Sequence, residues 1–112
     1  MTKTLTSLDD SLLENSLGEA DLMIMVEIEK NSSISQRALA ETFNMSLGKI
    51  NYCIKGLVDI GFIKLDNFYN EQNKLQYLYR LTPQGIAAKT RLAKKFLKIK
   101  RDEYNQLKGL LK

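Results

Sequence analysis

Apolar residues recur along this chain with two different periods. The segment 17–30 is broadly apolar, and from residue 46 to residue 60 the apolar residues cluster on one side, as in an amphipathic helix. Between residues 62 and 81 the period changes, and two short segments are rich in β-branched and aromatic residues. The helical period returns at Pro83 and meets no breaker except Gly85 and Gly109. The pattern predicts a mainly α protein with one small β-hairpin.

Hydroxyl residues that can cap the free N–H groups of a helix precede each predicted helix. They are Ser7, Ser16, Ser35, Ser46 and Thr82, and Thr82 is followed by proline at the first helical position. These starts predict helices at about 7–15 and 17–30, then from Ser35, from Ser46 to Gly61, and from Pro83 to the C-terminus. In the helix at 17–30, the residues expected to be buried are Leu22, Met25, Val26 and Ile28.

The two central helices have the spacing of a helix-turn-helix. Ala40 lies four residues after Gln36, where two crossing helices need a small side chain. Asn44 suits the left-handed turn that joins the helices. The inner face of the second helix is expected to contain Leu47, Ile50, Ile54, Leu57 and Val58, with Cys53 at its edge.

The residues after this pair predict a wing. Segments 62–66 and 76–81 are predicted strands, and the polar stretch 67–74 joins them as the tip of a hairpin. The predicted fold class is therefore mainly α with a small β-hairpin, a winged helix-turn-helix followed by a long C-terminal dimerisation helix. The expected organisation is an N-terminal extension with a short helix (1–18), a DNA-binding domain (19–82) and a dimerisation helix (83–112).

The outer face of the helix that starts at Ser46 carries side chains suited to DNA base edges. Lys49 can donate to guanine, Asn51 can pair with adenine, and Gly48 would let the helix approach DNA closely. The residues predicted to contact DNA from this helix are Ser46, Gly48, Lys49, Asn51, Tyr52 and Lys55. The alternative is a solvated helix face without a function.

Two further groups are predicted to hold the DNA backbone rather than read its sequence. One is the N-terminus of the preceding helix, a favourable phosphate site, at Ser35, Gln36 and Arg37. The other is the wing, at Lys64, Asn70, Gln72, Asn73 and Lys74. A polar wing without a function is the alternative for the second group.

The C-terminal helix would be about 45 Å long, which is more than the preceding domain is expected to cover. It carries an apolar stripe that consists of Leu92, Phe96, Ile99, Tyr104, Leu107 and Leu111. Because a monomer would expose this stripe to water, we expect a homodimer that uses the helix. A dimer would place two recognition helices about 34 Å apart, as a pseudo-palindromic site requires. The alternative is a helix that folds back onto its own domain.

Charge is distributed unevenly along the chain, whose formal net charge is +4. Residues 1–30 carry two basic and seven acidic residues, whereas residues 82–112 carry nine basic and two acidic residues. The basic helix is therefore either a solvated face, a surface that attracts phosphates, or a surface that packs against the acidic N-terminal segment of a partner chain.

Several kinds of site are excluded by composition. The chain has no histidine and one cysteine, so His-based catalysis, a zinc site and an iron–sulfur site are not expected. No glycine-rich phosphate loop is present, and an enzyme is not expected. Neither a cofactor nor a metal is predicted. The absence of a long apolar run and of a signal-like N-terminus leads us to expect a cytoplasmic protein without membrane contact. Cys53 is interpreted as a small core residue or as a redox switch.

Three segments resemble the exopolysaccharide-associated branch of MarR-type transcriptional regulators. They are SQRALAETFNMSLGKINYCIKGLVDIGFIK (35–64), YLYRLTPQGI (77–86) and KKFLKIKRDEYNQL (94–107). The resemblance covers about residues 20–110 and implies a bacterial winged-helix transcription factor, often encoded near polysaccharide biosynthesis genes. Ser32 stands where family members tend to have proline, and Ala38 where a capping glutamate is common.

The sequence therefore predicts a homodimeric regulator that binds double-stranded DNA at a pseudo-palindromic operator. The alternative is a winged-helix adaptor that binds another protein and no DNA. Nothing in the sequence identifies a small-molecule effector.

Overall fold

The computed structural model describes residues 12–69, 71–72 and 75–111. After the short helical segment 12–15, four helices and the two strands of one hairpin follow each other along the chain. They are α1 (Glu19–Lys30), α2 (Gln36–Phe43), α3 (Leu47–Asp59), β1 (Ile63–Tyr69), β2 (Leu75–Leu81) and α4 (Pro83–Gly109). This order confirms the predicted fold class, a winged helix-turn-helix with a long C-terminal helix. Within the described residues, no helix is long and apolar enough to cross a membrane.

The start of α1 differs from the prediction. The Gly18 N–H donates to Asp21 Oδ2 at 2.8 Å, and α1 begins at Glu19, because this carboxylate satisfies a free N–H group. Ser16 instead donates its hydroxyl to the carbonyl oxygen of Leu13 at 2.6 Å, where it closes the helical residues 12–15. The prediction of Ser16 as the cap was therefore wrong. Ser7 and most of the predicted helix 7–15 lie outside the described residues.

The helix-turn-helix is capped as the sequence predicts. Ser35 Oγ accepts from the Ala38 N–H at 3.0 Å, and Ser46 Oγ accepts from the Lys49 N–H at 3.1 Å. Asn44 lies between α2 and α3 with φ 52° and ψ 48°, the left-handed conformation that the tight turn needs. These contacts fix the angle at which α3 leaves α2.

The wing is longer than its sequence pattern indicates. Strands β1 and β2 pair in antiparallel fashion from Ile63 opposite Leu81 to Tyr69 opposite Leu75, instead of covering only 62–66 and 76–81. The polar composition of the stretch 67–74 concealed this extension, because backbone pairing continues where side chains no longer alternate. The Tyr79 N–H also donates to the carbonyl oxygen of Ser32 at 2.9 Å, which attaches the wing to the loop before α2.

The core forms where α1, α2, α3, the base of the wing and the first third of α4 meet. Its fully buried side chains include Met25, Ile28, Leu39, Ile50, Leu57 and Ile63. Ile24 is also buried although the sequence analysis did not select it, whereas Val26 is only half-buried. Leu47 and Val58 were predicted on the inner face of α3 but are 49% and 37% exposed, because they lie at its margins.

A backbone hydrogen bond and close packing hold the start of α4 against the base of the wing. Thr82 Oγ1 accepts from the Gly85 N–H at 3.0 Å, with Pro83 at the first helical position. The Thr82 N–H donates to the carbonyl oxygen of Phe62 at 3.0 Å. A Cβ atom added to Gly85 would lie 2.1 Å from that same oxygen, so only glycine fits this approach of helix to backbone.

Candidate nucleic-acid interface

Helix α3 has one buried and one exposed face. Ile50, Cys53, Ile54 and Leu57 are buried, and this fixes the rotation of the helix about its axis. The opposite face presents Gly48, Lys49, Tyr52 and Lys55 to solvent, with Tyr52 80% exposed. A Cβ atom added to Gly48 would meet nothing within 4 Å, so the bare backbone at this position is not a packing requirement. This face therefore makes no packing contact that would require Gly48, and it is open to solvent.

Ser46 has a structural role in addition to its predicted contact with DNA. Its oxygen accepts the Lys49 N–H as the N-cap of α3. A hydroxyl carries one hydrogen as well as its lone pairs, so Ser46 keeps a donor for a base or phosphate. Its side chain therefore suits the end of the helix that would enter a groove.

Asn51 and Gln36 were predicted to have separate roles, but the structure joins them. Asn51 Nδ2 donates to Gln36 Oε1 at 3.2 Å, and Gln36 Nε2 donates to the Tyr79 hydroxyl at 3.1 Å. Sequence reasoning missed Tyr79, because it lies 43 residues from Gln36 and only the fold brings the two together. The recognition helix, the start of α2 and the wing are thus connected by side-chain hydrogen bonds.

The N-terminus of α2 borders an open cleft of about 490 Å³. The cleft is lined by Ser33, Ile34, Ser35, Gln36, Tyr77 and Tyr79. Ser35 caps the helix and Arg37 is exposed, so two of the three predicted phosphate residues face solvent beside half-buried Gln36. Tyr77 is half exposed and was not predicted, since its position in the strand pattern gave no sign that it lines a cleft.

Only part of the predicted wing group can be placed. Lys64 lies on the outer face of the hairpin, 3.9 Å from Asp66, which also pairs with Arg80 at 3.4 Å. Gln72 is exposed near the tip. The predictions for Asn70, Asn73 and Lys74 lie outside the described residues. The base of the wing therefore carries two cations and one neighbouring carboxylate.

The predicted dimer stripe divides into two parts. Leu92 is 2% exposed within its own chain, and Phe96 packs against the same core, because the first third of α4 lies on α1. The assignment of Leu92 to a dimer interface is therefore corrected to the core of the protomer, whereas Phe96 is only half-buried against that core. The remaining residues are exposed: Ile99, Tyr104, Leu107 and Leu111, together with Leu97 and Leu110, which the prediction omitted.

Acidic and basic segments of the same chain meet. Lys89 pairs with Glu29, Arg91 with Glu14 at 2.7 Å, and Lys100 with Glu19 at 3.1 Å. Hydrogen bonding from Arg91 lowers the pKa of Glu14 below its ordinary value. These pairs hold α4 against α1 and residues 12–16, so acidic and basic segments attract each other within one protomer.

Cys53 lies at the inner edge of α3 and is 7% exposed. Burial raises the pKa of its thiol to about 11, and the negative charge of Asp21 adds to the effect. Across the described ranges, no three acidic or cysteine side chains converge as metal ligands would. The polar face of α3 and the cleft beside α2 remain the chemically distinctive surfaces.

Comparison with known proteins agrees with this geometry. Residues 17–64 match a family model described as winged helix-turn-helix DNA-binding. No curated protein matches the sequence.

Among solved structures, the transcriptional regulator SlyA has a TM-score of 0.59 and 21% identity, over 95% of this chain and 70% of SlyA. A structure of MarR has a TM-score of 0.55 and 23% identity, over 81% of this chain and 62% of that one. FabT from Streptococcus pneumoniae in complex with DNA has a TM-score of 0.55 and 18% identity, over 94% of this chain and 79% of FabT. The chain thus spans less than two thirds of the MarR structure. Residues 17–64 are thus similar to a winged helix-turn-helix DNA-binding domain, and the chain has the fold of SlyA, MarR and FabT.

Proposed function

We propose that this protein is a sequence-specific transcriptional regulator that binds double-stranded DNA as a homodimer. The observation that carries the proposal is the exposed polar face of α3, which the buried residues behind it hold in a fixed orientation. A helix with this character fits the major groove, and its N-terminal residues would reach base edges. Ser46, Gly48, Lys49, Asn51, Tyr52 and Lys55 would form this contact. The fold of FabT, which has been solved in complex with DNA, supports the proposal.

Backbone contacts would flank the reading helix. Ser35, Gln36 and Arg37 lie at the N-terminus of α2, where free N–H groups and the helix dipole favour a phosphate. Lys64 and Arg80 offer positive charge at the base of the wing. Such contacts set the register of a protein on a duplex without selecting its sequence.

The distal half of α4 is the surface that we assign to a second copy of the chain. Leu97, Tyr104 and Leu111 follow each other at seven-residue intervals, and Leu107 lies between the last two. All four are more than half exposed. A seven-residue apolar repeat is the pattern through which helices pair side by side. Pairing would present two α3 helices to a pseudo-palindromic operator. The resemblance of residues 35–64 to the exopolysaccharide-associated branch of MarR-type regulators supports polysaccharide biosynthesis genes as its targets.

Measurement of DNA binding tests this function. Duplexes would be selected from a random-sequence pool with the full chain, and their affinity measured by fluorescence anisotropy at several salt concentrations. We expect affinity to fall steeply with salt, because bound phosphates release counterions. Lys49→Ala should cost about 1–3 kcal/mol of binding free energy on the selected duplex.

Lys98→Ala is the matched control, since it removes the same charge from an exposed position on α4. It should leave the affinity near that of the unaltered protein. A protein-binding adaptor would select no duplex and would show no salt-dependent binding. Equal losses for the two lysine variants would indicate general charge attraction and contradict recognition by α3.

A further inference from the structure

Three side chains from different elements form a continuous hydrogen-bonded series. It runs from Asn51 on α3 through Gln36, the first residue of α2, to Tyr79 on β2. We call these three residues the amide relay. Asn51 is exposed, Gln36 is half-buried and Tyr79 is 7% exposed, so the relay leads from the protein surface into its core.

The inner end of the relay is fixed in place. Tyr79 packs in the core, pairs with Leu65 across the hairpin and donates its N–H to the Ser32 carbonyl oxygen. Gln36 follows the capping residue Ser35, so its backbone is fixed as well. An amide held at both ends loses freedom to rotate, and a group that is already oriented pays less entropy when it binds.

The outer end presents a defined pattern of donor and acceptor. The Asn51 amide has two N–H hydrogens and one oxygen, and Gln36 Oε1 accepts one of those hydrogens. One N–H and Oδ1 remain. Side by side, they match the N7 acceptor and N6 donor that adenine presents in the major groove. Guanine presents acceptors at both places, so Oδ1 would face another oxygen.

We propose that Gln36 and Tyr79 are positioning residues that orient the Asn51 amide for adenine and against guanine. This inference rests on the proposed function, and it assigns specificity to residues that need not touch a base. It also changes the role of Gln36 from a phosphate contact alone to the residue that determines which way the neighbouring amide faces.

Substitutions at Gln36 separate orientation from charge. In Gln36→Glu, the carboxylate can only accept, so it keeps the Asn51 N–H bond and takes the hydroxyl hydrogen of Tyr79. In Gln36→Lys, the ammonium can only donate, so Asn51 must turn its oxygen toward it and away from the DNA. Near phosphates the glutamate weakens binding to every duplex and the lysine strengthens it. Charge alone therefore predicts tighter binding for Gln36→Lys than for Gln36→Glu. Orientation predicts instead that Gln36→Glu keeps the preference for adenine and that Gln36→Lys loses it.

The measured quantity is the ratio of affinities for two duplexes with adenine or guanine at one position. The duplex is the one selected by the unaltered protein, and the position is the one at which Asn51→Ala loses its preference. We expect a preference of about ten-fold in the unaltered protein. Gln36→Glu should keep it to within about two-fold, whereas Gln36→Lys and Tyr79→Phe should reduce it to near unity. Arg37→Ala, which removes a neighbouring charge outside the relay, should weaken both duplexes equally.

Thermal unfolding of each variant checks that it folds, and Tyr79→Phe leaves the aromatic ring in the core. If Gln36→Lys retains the preference, or Gln36→Glu loses it, the inference is wrong. It is also wrong if Asn51→Ala changes no position while the unaltered protein still selects a sequence, and in that case the proposed function stands. Failure of the unaltered protein to select any sequence overturns the proposed function, and the inference with it.

Discussion

Cys53 belongs to the buried face of α3, directly behind the surface that we assign to DNA. Its thiol is surrounded by core side chains and lies near the carboxylate of Asp21. Both features disfavour a negative charge on sulfur, and the thiolate is the form that reacts with oxidants. Of the two interpretations that the sequence leaves open, this environment favours a packing role over a redox switch.

The raised pKa of Cys53 predicts slow thiol chemistry at neutral pH. In the folded protein, the rate of alkylation by iodoacetamide should keep rising with pH toward a pKa of about 11. The direction follows because alkylation requires the thiolate, which burial disfavours. In denaturant the same rate should level off above the ordinary pKa of about 8.5. A folded-state rate at pH 8 equal to that in denaturant would contradict this expectation.

At the scale of secondary-structure elements, the first turn of α4 lies close against the backbone of Phe62. Gly85 makes this approach possible, since any Cβ atom there would overlap the Phe62 carbonyl group. Gly56 on α3 differs, because a Cβ atom added to it would meet nothing within 4 Å. Packing therefore requires glycine at position 85, whereas it does not require glycine at position 56.

We expect Gly85→Ala to destabilise the fold by about 1–3 kcal/mol, because backbone must move to admit the methyl group. Gly56→Ala is the matched control and should stabilise the fold by about 0.5–1 kcal/mol, through its higher helix propensity. Urea unfolding at one fixed protein concentration measures both effects. Equal changes for the two variants would mean that α4 does not dock closely on Phe62.

The sequence predicts helix ends and turns best where a single residue determines the local backbone conformation. Ser35, Ser46 and Thr82 cap their helices as expected, and Asn44 adopts the left-handed conformation. Ser16 fails as a cap because Asp21 competes for the same role, and the sequence does not rank the two. The positions of Leu92 and Tyr79 depend on contacts between distant elements, so local patterns could indicate neither the burial of Leu92 nor the amide relay.

At the scale of the whole molecule, α4 belongs to two environments. Up to Leu92 it carries buried residues and completes the core, whereas every described residue from Leu97 onward is exposed. Ion pairs with Glu14, Glu19 and Glu29 hold its first half and its centre to the N-terminal helical residues. The apolar residues beyond Lys100 gain no cover from the described part of their own chain.

We expect the distal half of α4 to support dimerisation. The double variant Tyr104→Lys and Leu107→Lys should sediment as a monomer at concentrations where the unaltered protein is dimeric, because it places charges in the apolar stripe. The control variant is Asn105→Lys, because Asn105 lies on a different side of the helix from Tyr104 and Leu107. It should leave the dimer intact. Sedimentation velocity distinguishes the two species. A dimer that survives the double variant would place the interface elsewhere.

The packing of α4 fixes its first half on its own protomer and leaves the second half as a projecting rod. Gly85 lies against Phe62, Leu92 is buried in the core and Phe96 is half-buried against it. The part of α4 from Leu97 to Gly109 is about 20 Å long at the usual helical rise. A bend of about 5° where the helix leaves the core would displace its far end by about 1.7 Å over this length. In a dimer joined at the far ends, the straightness of this projecting part would set the distance between the two α3 helices, and with it the operator spacing.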